Sequence, residues 1–324
     1  MVGRYLAFAA VMLSATLSAQ TSTTRLETVP GVPQIDKTSQ AQDIHLRTDR
    51  DQRMTVPVRL GGAGPYEFLV DTGADRTAVS RDLASRLSLP SAGKAELHSI
   101  SGVTQINTAR VRDFELTHRL ETVDAAVLDG PSMGADGIVG ADLLRSERVQ
   151  FDFEKQTMTI VPSKTPDFRA EGETIVVRAW RKNGRLVVTD AQIGGENVTV
   201  VLDTGSDISM GNEALRARAA HRGAFDGETR VELLSVTGAK ITGDMTSIRK
   251  LTIGGIELRN LVVVITDAHT FKQLGLRDRP ALLLGMNAMR AFKKVSIDFA
   301  NKKFRVVMPE HSELQTQVAS SGGR

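Results

Sequence analysis

Two short stretches of the 324-residue chain carry the same acid-bearing triplet. Asp71-Thr72-Gly73 follows the apolar run Phe68-Leu69-Val70, and Asp203-Thr204-Gly205 follows Val200-Val201-Leu202. In each, an apolar strand delivers a carboxylate into a turn, where it is costly unless hydrogen-bonded. The Thr hydroxyl can donate, and the Gly permits a tight loop whose N–H groups point back at the acid. One such triplet alone would be an Asx-type turn. Two in matched surroundings permit different chemistry. A two-fold arrangement of equivalent lobes places equivalent residues face to face about the axis. Two carboxyls about 3 Å apart cannot both ionise readily, so they share one proton and titrate as a pair. Such a pair suits acid–base work on a water held between them. One member takes the water's proton; the other protonates or hydrogen-bonds a polarised carbonyl.

The surroundings do match, because the chain is written twice. Glu67-Phe-Leu-Val-Asp-Thr-Gly-Ala-Asp75 parallels Thr199-Val-Val-Leu-Asp-Thr-Gly-Ser-Asp207, and a Gly-rich turn precedes each (Gly61 to Pro65, Gly194 to Asn197). Asp136-Gly-Ile-Val-Gly-Ala-Asp-Leu-Leu144 parallels Ala281-Leu-Leu-Leu-Gly-Met-Asn-Ala-Met289. Val149 to Phe153 parallels Val295 to Phe299, and each runs into a strand ending at Pro162 or Pro309. At average composition the triplet is expected about 0.07 times in a chain this long, so two in matched contexts point to duplication. The elements that must position the triplets read mostly as strands. Met54–Leu60 and Tyr66–Val70 form a hairpin pattern, as do Thr174–Trp180 and Leu186–Ile193 around Asn183-Gly184. Short helices are predicted at Arg81–Leu87, capped by Ser80, at Glu213–Ala220, capped by Asn212, and after Gly140 and Gly285.

These residues resemble the aspartic proteases. The resemblance rests on the two triplets and on Ile138-Val139-Gly140 and Leu283-Leu284-Gly285, and it covers roughly Met54 to Pro309. Gly140-Ala-Asp-Leu143 and, less closely, Gly285-Met-Asn-Ala288 look more like retroviral-type subunits than pepsin. The resemblance implies an all-β fold: two retropepsin-like β-barrel lobes in one chain, related by pseudo-two-fold symmetry, with few short helices. It implies catalytic Asp71 and Asp203, with Thr72, Gly73, Thr204, Gly205, Gly140 and Gly285 supporting their loops. It also implies flaps, for which Ile100, Ser101, Gly102 and Val103 in one copy match Val236, Thr237, Gly238 and Ala239 in the other. Asp75 and Asp207 match a position that contacts substrate backbone. The Arg that commonly follows the late Gly is absent, since Ala141 and Met286 stand there, so the usual Arg–Asp bridge is expected to be missing. Ile100, Val103, Val236 and Ile138 suggest apolar subsites.

Composition narrows the rest. With no Cys there is no disulfide framework, thiolate metal site or cysteine nucleophile. A net charge of +3 over this length gives no warrant for a nucleic-acid partner. The six His show no metal-ligand spacing and read as surface or satisfied groups, and no phosphate-cradling loop is present. Neither a cofactor nor a metal is expected. Met1–Ala19 has the basic n-region (Arg4), short apolar stretch and small residues of a signal peptide. The expected organisation is therefore a leader at 1–19 and a polar, poorly ordered segment at 20–53. An N-terminal lobe at 54–162, a linker at 163–173, a C-terminal lobe at 174–309 and a disordered tail at 310–324 follow. The expected function is an exported, periplasmic or secreted endopeptidase, active as a single chain on a protein or peptide, with no stable membrane span after cleavage. The alternative is a degenerate protease fold that binds peptides without cutting them.

Overall fold

A computed structural model describes residues 24–28, 54–117, 119–167 and 173–309, so the expected leader and tail lie outside the described residues. The described chain is mostly strand with short helices, and the all-β expectation holds. Among the described residues no helix is long and apolar enough to cross a membrane.

Each half builds its own sheet by the same logic. In the first, Val56, Val58 and Leu60 face the core while Pro57 and Arg59 face out, the period-2 pattern of a half-buried strand. The chain turns at Gly61-Gly62 and returns as Ala63–Val70, with Val56 opposite Phe68 and Val58 opposite Tyr66. Phe68–Val70 then pairs in parallel with Gly137–Val139, whose other edge takes Ala78–Ser80 antiparallel. The buried central strand thus runs between the two arms of the loop that carries Asp71. Arg59-Leu60 also pairs with Phe114-Glu115, so this sheet closes on itself. The second half repeats the scheme. Thr199–Leu202 pairs in parallel with Ala281–Leu284, which takes Met210-Gly211 antiparallel on its far edge. Both early helices form where their caps predict. Ser80 Oγ accepts from Leu83 N–H at 3.1 Å and Asn212 Oδ1 accepts from Leu215 N–H at 2.9 Å.

A third sheet joins the halves. Its five strands run in the order 157–162, 147–152, 294–298, 303–307 and 174–178. Glu147–Asp152 lies antiparallel to Lys294–Asp298 at the seam, with Arg148 opposite Asp298 and Asp152 opposite Lys294. Arg148 and Asp298 form a buried ion pair at 2.8 Å. Arg148 also donates to the carbonyls of Ser163 and Thr165, which ties the linker to the seam. One apolar cluster runs through both lobes and this sheet, from Val58 and Phe68 through Phe151 to Ile297 and Phe304.

Two strand expectations need correction. Thr174–Arg178 does not pair with Leu186–Ile193. It pairs with Lys303–Val307, and the Asn183-Gly184 turn closes a shorter hairpin of Trp180–Lys182 with Arg185–Val188. Alternation identifies a strand but not its partner, and the seam sheet competes for this one. The segment 20–53 is also not uniformly irregular. Thr24–Thr28 forms a strand antiparallel to Val231–Ser235, where it satisfies backbone groups that an open sheet edge would expose.

Candidate active site

The two triplet loops meet at the interface of the lobes and lock together through their threonines. Thr72 Oγ1 donates to Leu202 O at 2.8 Å and accepts from Thr204 N–H at 3.0 Å. Thr204 Oγ1 donates to Val70 O at 2.7 Å and accepts from Thr72 N–H at 3.1 Å. Each hydroxyl therefore uses both its donor and its acceptor, in a buried place where a lost partner is costly. We expect Thr72→Val or Thr204→Val to lower unfolding free energy by about 1–3 kcal/mol, read from the urea midpoint.

The lock brings Asp71 and Asp203 together, both buried and both lining the same cavity. Asp71 Oδ1 accepts from the N–H groups of Gly73 and Ala74 at 2.8 and 2.9 Å. Asp203 Oδ1 accepts from Gly205 N–H at 3.1 Å. The glycines are required by proximity. A Cβ at Gly205 would sit 2.1 Å from Asp71 Cγ, and one at Gly73 would sit 2.4 Å from Asp203 Oδ1. The late glycines answer the same demand one layer down. A Cβ at Gly140 would meet the backbone of Arg76 at 2.5 Å, and one at Gly285 the backbone of Ser206 and Ile208 at 2.8 Å.

Behind each late Gly, the unequal Asp142 and Asn287 do equal work. Asp142 accepts from the N–H and hydroxyl of Thr77, whose Oγ1 accepts from Gly140 N–H. Asn287 Oδ1 accepts from the N–H and hydroxyl of Ser209, whose Oγ accepts from Gly285 N–H.

Burial dominates the electrostatics of the pair. It pushes the Asp71 carboxyl up to about 8, with the charge of Asp203 adding to the rise; the Gly73 N–H, Arg185 and the Ala74 N–H oppose it. Burial also raises Asp203, opposed first by Arg185 and then by the Gly205 N–H. A proton is thereby retained between the carboxyls into the neutral range.

Arg185 is the main feature that sequence reasoning missed. It is 2% exposed and reaches from the C-terminal lobe into the loop of the other lobe. Its Nε donates to Gly73 O at 2.6 Å, and its Nη1 lies 3.1 Å from Asp75 Oδ1. Gln273 completes the group, accepting from Arg185 Nη1 at 3.2 Å and donating to Asp75 Oδ2 at 2.6 Å. An Arg–Asp bridge is therefore present at Asp75, contrary to expectation, but the Arg comes from across the interface rather than from beside Gly140. The signal available was a fully buried-strand pattern, Arg185–Val188, that opens with a cation.

A cavity of about 400 Å³ opens over the two acids. Asp75, Ile138, Ile100 and Val236 line it, together with Leu97, His98 and Ser235. Asp207, Ser101, Gly102, Val103, Thr237, Gly238 and Ala239 do not line it; Val103 is 47% exposed. The expected flaps are hairpins, Ser91–Ser99 with Gly102–Glu115 and Phe225–Ser235 with Lys240–Ile253. Their tips cross over. Ile100 packs on the C-lobe cluster around Val201, Met210 and Phe271, and Val236 packs on the N-lobe cluster around Leu69, Leu128 and Ile138. Two of the histidines meet here: His98 Nδ1 lies 3.1 Å from His269 Nε2.

A sequence profile of a family described as aspartyl protease matches the chain twice, at residues 56–143 and 189–288, together more than half of its length. No curated protein sequence matches it.

Proposed function

Because the chain belongs to the aspartyl protease family, with the family domain present twice in tandem, we propose that it is an active endopeptidase whose two acids, Asp71 and Asp203, hydrolyse a peptide bond of an extended polypeptide. The observation that carries this reading is the buried carboxyl pair, each packed against the glycine of the other's loop, beneath an open cavity. In the reaction, the ionised member takes a proton from a water between the carboxyls while the protonated member donates to the scissile carbonyl oxygen. The water oxygen adds to the carbonyl carbon. The proton gained by the first acid then passes to the amide nitrogen, a hydroxyl of the gem-diol returns its proton to the second acid as the C–N bond breaks, and the product acid and amine leave with the pair restored. Arg185 serves this cycle by opposing retention of a second proton. Thr72 and Thr204 hold the acids in register, and Gly140 and Gly285 let the loops sit close enough. Both acids come from one chain, so the reading needs no second copy. We further propose export, on the strength of the leader-like Met1–Ala19.

A hydroxyl-bearing peptide isostere tests the reading against that of a binding module. An active enzyme of this kind binds the tetrahedral mimic at least about 10²-fold more tightly than the matched peptide. Equal affinity for the two, measured by calorimetry, would sink the catalytic assignment.

A further inference from the structure

We propose that His98 and His269 are positioning residues for this cleavage: sharing a proton between facing ring nitrogens, they fasten the N-lobe flap to the opposite lobe, and one further proton unfastens it. The inference rests on the reading of the cleft as a peptide-cleaving site.

Three contacts gather at one point. His98 is the penultimate residue of the outgoing flap strand Ser91–Ser99, next to its buried Ser99. His269 is the first residue of the C-lobe helix His269–Gln273. Their nitrogens lie 3.1 Å apart, and the rings stack at 5.3 Å between centroids, inclined by 19°. Beside them, His269 N–H donates to the carbonyl of Ile100 at 2.9 Å, and the Ile100 side chain packs on the C-lobe cluster. The other flap has no such fastening, because Leu234 stands where His98 stands in the repeat. The device is one-sided in an otherwise doubled molecule.

The chemistry follows from the proton count. A hydrogen bond between two ring nitrogens needs one that carries hydrogen and one that does not. A neutral pair meets this condition, and so does a pair with a single charge. A doubly charged pair sets two N–H groups against each other at contact distance. The charged surroundings decide where that happens. Burial, then His98, then Lys272 on the same helix hold His269 below its ordinary value. Glu96 shares the flap strand's face with His98 and lines the same cavity. The second flap strand brings no charge before Arg110. Ahead of the helix Asp267 pairs with Arg277, and at its end Gln273 holds the Asp75–Arg185 pair. The fastened state therefore binds fewer protons than the released one. Fastening is favoured as pH rises and is lost as pH falls through the acid side of about 6.5.

The absence of Cys makes a direct test possible in the full chain. Spin labels at Thr104→Cys on the flap and Val262→Cys on the C-terminal lobe report their separation by pulsed electron resonance. At pH 7.5 one short distance is expected; at pH 4.5 a longer population should join it. The double variant His98→Asn with His269→Gln places amide atoms where Nδ1 and Nε2 stood. It should keep the short distance at both pH values, whereas His269→Ala should show the longer population at both. A distance unchanged by pH in the parent chain, or an amide variant that opens with acid as the parent does, overturns the proposal. Kinetics give the second readout. KM for a cleaved peptide should rise at least threefold from pH 7.5 to 4.5 in the parent and stay flat in the amide variant; identical profiles also overturn it. An inert carboxyl pair would abolish cleavage in every variant and leave the distances as stated, so the two failures are distinguishable.

Discussion

Replacing Asp71 with Asn is expected to lower kcat by about 10⁴-fold or more and to raise the melting temperature of the same protein at pH 7.5. The rate loss follows from the assigned roles. The acids act as a base and an acid in one cycle, general acid–base catalysis contributes up to about 10⁴-fold, and an amide can neither take nor give the proton. The stability gain follows from burial. Asp71 is held far above its ordinary value by desolvation and by Asp203. A carboxyl whose folded value is raised keeps its proton longer in the native state than in the unfolded chain. Stability therefore falls as pH rises from about 4 toward 8. Asn removes that cost while its Oδ1 still accepts from Gly73 and Ala74. A gain of about 2 kcal/mol, roughly 3–4 °C for a protein of this size, should appear at pH 7.5 and shrink toward nothing near pH 4. Calorimetry at both pH values, beside a cleavage assay, checks the pair of effects. Retained cleavage would remove Asp71 from the chemistry. A gain equal at both pH values would mean that the carboxyl carries no shifted proton.

What could be read in advance was whatever local pattern or duplication encodes. The close approach of Gly73, Gly205, Gly140 and Gly285 to neighbouring backbone or carboxyl is written into each copy, and so recurs visibly. The caps at Ser80 and Asn212 are local signals of the same kind. Partners across the lobes leave no such mark. Thr174–Arg178 alternates as a hairpin arm would, yet its partner lies more than 120 residues away. Lys294 sits beside a second lysine and reads as a solvated face, but the seam buries it opposite Asp152 at 3.5 Å. His98 and His269 are 171 positions apart and break the internal symmetry, so comparing the copies cannot find them. Symmetry reveals what both halves share, and the asymmetric residues, which can distinguish one side of the cleft from the other, are found only in three dimensions.

Arg185 is the clearest such residue, and its removal carries the second large expected effect. Arg185→Ala should destabilise the protein by about 3 kcal/mol or more. The guanidinium is buried, and its loss leaves Gly73 O, Asp75 and Gln273 without the donor that orders all three. Its charge also opposes the rise of both acids. Without it the pair holds its second proton to higher pH, so the acid limb of the rate profile should move upward. Arg185→Lys separates the two contributions. Lysine keeps the positive charge but cannot bridge Gly73 O and Asp75 with a planar fork, so it should hold the acid limb near the parent's position while losing part of the stability. Urea unfolding and kcat/KM from pH 3 to 8 measure both. A lysine variant as displaced in its acid limb as the alanine one would deny the electrostatic role. An alanine variant within about 0.5 kcal/mol of the parent, less than the ~1 kcal/mol typical of a single hydrogen bond, would deny the structural one. The double variant Arg185→Met with Asp75→Ala should lose less than the two single losses combined, because removing both partners strands no charge.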